Sequence, residues 1–135
     1  MMTRGQDANL AVARAYLTAL EENRPADAAQ FFAPDIVQVE HPNRLKPNGD
    51  RRGAEAMATA GQQGLKILER QSYEVLNAIA EGDRVALEVL WTGVLAIPLG
   101  DLKPGDAMTC WSGIFLDFRD GLIVGQRNHD CFPPF

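Results

Sequence analysis

The chain has 135 residues, 46% of them apolar and 23% charged, which fits one soluble globular domain over residues 1–135 and excludes disorder and collagen-like repeats. With 13 Lys and Arg against 18 Asp and Glu, the net charge is −5, so attraction to nucleic acid or anionic lipid is not expected. The two cysteines, Cys110 and Cys131, form no CxxC or ligand spacing, and no signal-like apolar run opens the chain. A cytoplasmic protein with free thiols is therefore expected.

The first third reads as helix. Leu10, Ala13, Leu17 and Leu20 fall on one face at helical spacing, with Tyr16 beside them and Asp7 as a cap or first-turn acid. Asn23-Arg24-Pro25 interrupts it, and Pro25 suits the first position of a short second helix. Ala28, Phe31 and Phe32 would be that helix's buried face, ending at Pro34-Asp35. Ile36 to Glu40 is a short β-like run closed by Pro42, and residues 42–53 read as a polar loop in which Arg51-Arg52 is solvated. Ala54 to Arg70 returns to helix, with Met57, Gly61, Leu65 and Leu68 on one face. Gly61 and Gly64 each cost about 1 kcal/mol against alanine, which close packing against another element would justify.

The second half reads as β. Ser72–Ala80, Arg84–Ile97, Ala107–Arg119 and Leu122–Cys131 are strands joined by Glu81-Gly82-Asp83, the loop at residues 98–106 and Asp120-Gly121. Val85, Leu87, Val89 and Trp91 share the more apolar face of the second of these. Glu88, Thr92, Gly93 and Pro98 break the longest apolar stretch, so no membrane span is expected. The order predicts an α+β fold: three helices laid on one face of a curved antiparallel sheet.

Tyr16-Leu17-Thr18-Ala19-Leu20, Phe32-Ala33-Pro34-Asp35 and Val39-Glu40-His41-Pro42 together resemble the opening of the ketosteroid isomerase and SnoaL-like families, within the nuclear transport factor 2-like superfamily. Phe118-Arg119-Asp120-Gly121-Leu122-Ile123 is similar to their last hairpin, and residues 128–135 resemble the close of many SnoaL-like proteins. The resemblance implies a cone with a deep apolar pocket and homodimerisation through the sheet. It implies no single activity, because the superfamily spans isomerases, cyclases, dehydratases, epoxide hydrolases and binders.

By that resemblance Tyr16 stands where the isomerases place the phenol of an oxyanion hole. His41 stands just before the proline, where they carry a general-base carboxylate, and imidazole exchanges protons near neutral pH. Strand alternation sends only one of Glu40 and His41 inward. The offset to Pro42 favours His41, and a one-residue slip would favour Glu40. Asp130 resembles the late acid/base aspartate of SnoaL-like cyclases and shares a strand face with Gln126 and Asn128, while His129 points away. Cys110 and Ser112 have pocket-facing parity. Gly113 and Ile114 stand where the isomerases hold a second, protonated aspartate, so steroid isomerisation itself is not expected.

The expectation is a small enzyme doing acid/base chemistry on a hydrophobic carbonyl compound, with His41, Asp130 and Tyr16 catalytic. Glu40, Asn128, Ser112 and Ile114 would contact the substrate. No cofactor is implied, and Glu40, His41, His129 and Asp130 lack the paired-histidine spacing of a metal site. A non-catalytic binder of an apolar ligand and a dimerisation module are the alternatives. Leu17, Phe31, Leu65 and Leu116 are expected to line the cavity.

Overall fold

A computed structural model of the chain describes residues 4–135. Helix α1 (Arg4–Glu21) buries Ala13, Tyr16, Leu17 and Ala19 and carries Asp7 in its first turn. It stops at Asn23, whose left-handed φ of 59° a short amide side chain tolerates, and the Arg24 N–H turns back to the Ala19 carbonyl. Pro25 opens α2 (Pro25–Ala29) as expected. That helix is shorter than the sequence suggests. Phe32, Pro34 and Asp35 already belong to strand β1 (Phe32–Glu40), where a register irregularity between Phe32 and Val37 accommodates the proline.

The polar stretch after β1 also contains a strand, β2 (Asp50–Arg52), so Arg52 is no solvated loop residue: its side chain is 14% exposed. Helix α3 (Ala54–Ile67) passes without a loop into β3 (Leu68–Glu81), because Leu68 takes extended dihedrals directly after the last helical turn. An added Cβ at Gly61 would lie 2.9 Å from Pro25 Cβ, so α2 packs against that glycine, whereas nothing lies within 4 Å of the same position at Gly64.

Strands β4 (Arg84–Leu95), β5 (Ala107–Arg119) and β6 (Leu122–Cys131) complete a six-stranded sheet in the order β2-β1-β6-β5-β4-β3. Strands β3 to β6 form an antiparallel meander, and Asp120-Gly121, both with positive φ, make the tight turn between the last two. The β1–β6 pair is parallel, which makes the sheet mixed.

The fold is α+β: a curved, unclosed sheet with three helices. Strand β5 alternates strictly, with Met108, Cys110, Ser112, Ile114, Leu116 and Phe118 inward and buried. The helices cover this concave face, and Val85, Val89, Leu116 and Ile123 form its fully enclosed centre. Among the described residues, no helix is long and apolar enough to cross a membrane.

Candidate active site

Period-two alternation sets the site. The concave face of β6 presents Gln126, Asn128 and Asp130, and the register sets Leu116, Ile114 and Ser112 of β5 opposite them. On the other side of β6, parallel pairing sets Gln38 beside Gln126 and Glu40 beside Asn128. Two cavities, of about 190 and 220 Å³, open against this surface and share Tyr73, Ile114 and Asn128 in their walls. The first holds Glu40, Trp91, Cys110, Ser112 and Asp130, with Phe132 at its rim. The second holds Tyr16, Gln38, Arg52 and Gln126 under Leu17 and Met57.

Asp130 accepts a hydrogen bond from Ser112 Oγ at 2.5 Å. Burial holds its carboxyl above the ordinary carboxylate range, against the lowering effect of that bond; the charge of Glu40 adds to the rise and His129 opposes it. Glu40 is clamped from both sides. One oxygen pairs with Arg52 at 2.7 Å and the other accepts from Asn43 Nδ2 at 2.8 Å. Arg52 also reaches Gln38 at 3.2 Å. The charged pair therefore sits in the wall with its hydrogen bonds largely satisfied.

The Tyr16 phenol donates to Gln126 Oε1 at 2.9 Å, and Gln126 Nε2 donates in turn to Asn128 Oδ1 at 2.8 Å. Burial pushes Tyr16 up to about 12, although the Gln126 bond and the Arg52 charge act against it. Burial also pushes the Cys110 thiol up to about 12, which leaves it an unreactive wall residue. Cys110 and Cys131 are both free thiols. The Trp91 indole N–H donates to Gln71 Oε1 at 2.9 Å, which holds the ring in place.

His41 is not in this group. Gln38 and Glu40 face inward, so alternation turns His41 to the convex side. There its ring stacks on His129 with centroids 4.4 Å apart, and His129 meets the edge of Phe115. The expectation that His41 faces the pocket is corrected: the inward residue is Glu40. Tyr16, Glu40, Ser112, Ile114, Asn128 and Asp130 all line the cavities.

Of the expected apolar lining, Leu17 is present, Leu65 is 40% exposed and Leu116 is sealed in the core. Asp117, outward as its parity requires, pairs with Arg127 at 2.6 Å. Among the described residues no group of three His, Cys, Asp or Glu side chains could hold a metal ion.

Tyr73, Trp91 and Arg52 are wall residues that the sequence reading did not assign to the site: Trp91 reads there as part of an apolar strand face and Arg52 as a solvated loop residue. Arg52 joins the wall through the pairing of β2 with β1, which sets it beside Gln38, and no local sequence pattern announces that pairing.

The chain belongs to the SnoaL-like domain family, whose model matches residues 13–126. Solved structures share its fold at low identity. AclR of Streptomyces galilaeus, a proposed hydroxylase, is 22% identical with a TM-score of 0.80, covering 96% of this chain and 82% of that one. A proposed polyketide cyclase of Xanthomonas campestris pv. campestris is 23% identical, with a TM-score of 0.76 and coverage of 96% and 93%. An LEH-like epoxide hydrolase of M. tuberculosis is 19% identical, with a TM-score of 0.71 and coverage of 95% and 84%. No curated protein sequence matches the chain.

Proposed function

We propose that this chain is a small acid/base enzyme acting on a hydrophobic carbonyl compound, by chemistry of the isomerase, aldol-cyclase or dehydratase type. The observation that carries this reading is Asp130. Its carboxylate is half-buried in a cavity walled by Trp91, Ile114 and Phe132, one oxygen is held by Ser112, and its pKa is raised. A carboxylate so held takes a proton from carbon more readily than one in water. In the reaction, Asp130 removes a proton from the carbon beside the substrate carbonyl. The C–H electron pair moves into the carbon–carbon bond, the carbonyl becomes an enolate, and the same proton is delivered later to another atom. Glu40, fixed by Arg52, shapes the wall and sets the local charge.

The second reading is a binder of an apolar ligand without turnover. Its support is that the Tyr16 phenol, expected as an oxyanion donor, already spends its hydrogen on Gln126. The same convex face in two copies would make a homodimer, because Ile79, Trp111 and Phe115 are exposed there.

The test is exchange of α-protons of a panel of cyclic and aromatic ketones in heavy water, followed by NMR. The enzyme reading expects exchange above background with at least one ketone, and a loss of about a hundredfold or more in Asp130→Asn. Ketone binding without exchange in the intact protein would establish the binder instead.

A further inference from the structure

The hydrogen bonds around Asn128 have a direction. Tyr16 gives its only hydrogen to Gln126 Oε1, so Gln126 must present its NH₂ to Asn128 Oδ1. That fixes the Asn128 amide: its oxygen is taken, and its NH₂ is turned the other way. Among the described residues nothing accepts from Asn128 Nδ2, and the backbone carbonyl of Asn128 is separately occupied by the His41 N–H. Gln126 is 3% exposed and Tyr16 4%, so the relay is held by packing as well as by its bonds.

A second unused donor stands in the same place. Tyr73, on β3, lies in the wall of both cavities, as Asn128 does. Its backbone N–H is taken by Glu21, but among the described residues its phenol has no hydrogen-bond partner. Both residues are only partly buried, so each donor opens onto cavity space, where a ligand atom can take the bond. Ile114, itself buried, lines both cavities with them and adds an apolar surface beside the two donors.

We propose that Tyr73 Oη and Asn128 Nδ2 form a two-donor site for an oxyanion, which receives the enolate or phenolate oxygen of the substrate, and that Tyr16 is a positioning residue behind it. The inference rests on the acid/base reading above and moves the oxyanion site away from Tyr16. The charges are consistent. When Asp130 takes a proton it becomes neutral as the substrate oxygen becomes negative, so the cavity's net charge does not change. Glu40 also faces the site and is offset by Arg52 at 2.7 Å, while Glu21, near Tyr73, is engaged by the Tyr73 backbone N–H. The substrate class is thereby narrowed to compounds that react through an enolate-type oxygen beside an apolar ring or chain. Two neutral donors in the walls of the same two cavities favour the charged over the neutral form of that oxygen.

The probe is a cyano-substituted 2-naphthol, whose ionised form has its own absorption band, with its methyl ether as a partner that cannot ionise. Both are titrated into Asp130→Asn protein, in which the amide stands for the protonated acid. Bound naphthol should ionise at a lower pH than in water. Adding Tyr73→Phe or Asn128→Leu should weaken binding of the ionised probe about tenfold or more, since bonds to a charged group are the strong ones, with the ether's affinity unchanged. Adding Tyr16→Phe should weaken it less than Tyr73→Phe does.

Absence of ionisation, or a loss confined to Tyr16→Phe, overturns the proposal. Loss of ether binding in the two donor variants also overturns it, by assigning both residues to cavity shape. Because the readout is the state of the probe and not turnover, this result stands apart from the ketone-exchange test. Exchange without probe ionisation would sink the donor pair alone, and no exchange with a bound, ionised probe would sink the enzyme reading alone.

Discussion

Ser112 and Asp130 face each other across the β5–β6 pair, and the serine hydroxyl donates to the Asp130 carboxylate at 2.5 Å. The bond favours the ionised acid and works against burial, which favours the neutral one. Ser112→Ala removes the opposing influence. The Asp130 pKa then rises further, and because proton abstraction needs the carboxylate, the acidic limb of the activity profile should move to higher pH. A pH–rate profile of ketone exchange checks this, and a shift to lower pH contradicts it.

The same burial sets a stability dependence. In the unfolded chain Asp130 titrates near the ordinary value of about 3.9, while the native protein keeps the proton to higher pH. Between these two pKa values the unfolded chain has lost its proton and the native chain has not. Stability from this group therefore falls as pH rises through the window, and the deficit is complete above the native pKa. Asp130→Asn removes the titration, so its melting temperature should exceed that of the unaltered chain at pH 7, with the gain absent below about pH 3.9. Thermal unfolding at the two pH values decides it.

The two phenols in the cavity walls should differ in what they do for the fold. Tyr16→Phe leaves Gln126 Oε1 buried without its donor, at a cost of about 1–3 kcal/mol. Tyr73→Phe removes a hydroxyl that no described residue engages, so the fold should lose no more than about 0.5 kcal/mol. Urea denaturation of the two variants measures both. Equal losses would mean that the Tyr73 hydroxyl has a structural partner.

Much of the architecture was legible because alternation and turn chemistry are local. Ala107–Arg119, Asp120-Gly121 and Leu122–Cys131 were bounded from sequence as the structure has them, and parity alone sent Gln126, Asn128 and Asp130 inward and His129 outward. Strand β1 was harder, since Phe31-Phe32 reads equally as a helix face and Pro34 hides an irregular strand start. That ambiguity is why Glu40 and His41 could not be separated: one residue of register exchanges the faces. Strand β2 was invisible, because three polar residues acquire strand character only by pairing with β1. Tyr73 could not be recognised as a wall residue without knowing which face of β3 the helices cover.

Gly61 and Gly64 look alike in sequence and should respond oppositely to alanine. At Gly61 the new methyl would meet Pro25 Cβ at 2.9 Å, too close for either rigid element to absorb, so Gly61→Ala should destabilise by roughly 1–3 kcal/mol. At Gly64 the methyl meets nothing within 4 Å, and the gain in helix propensity, about 1 kcal/mol at most, should appear as a higher melting temperature. A drop in both variants would show that the α2–α3 contact is not what separates them.

The convex face carries the last expectation. Ile79 is 57% exposed, Trp111 52% and Phe115 41%, and together they flank one groove on the outer face of β3, β4 and β5. Their outward parity follows from the inward parity of Ser112 and Ile114, so they cannot be drawn into the core without reversing the strand. A sheet face with large apolar side chains at this density favours association over exposure. On the homodimer reading, Trp111→Glu sets two like charges against each other at the interface and removes an aromatic anchor, and interface aromatics commonly contribute 2 kcal/mol or more, about a thirtyfold change in dissociation constant. Sedimentation velocity should show a dimer for the unaltered chain and a monomer for the variant. Cavity function should survive, because Trp111 lies on the opposite side of the sheet from Asp130. A chain that sediments as a monomer at high micromolar concentration before any substitution would remove the dimer reading.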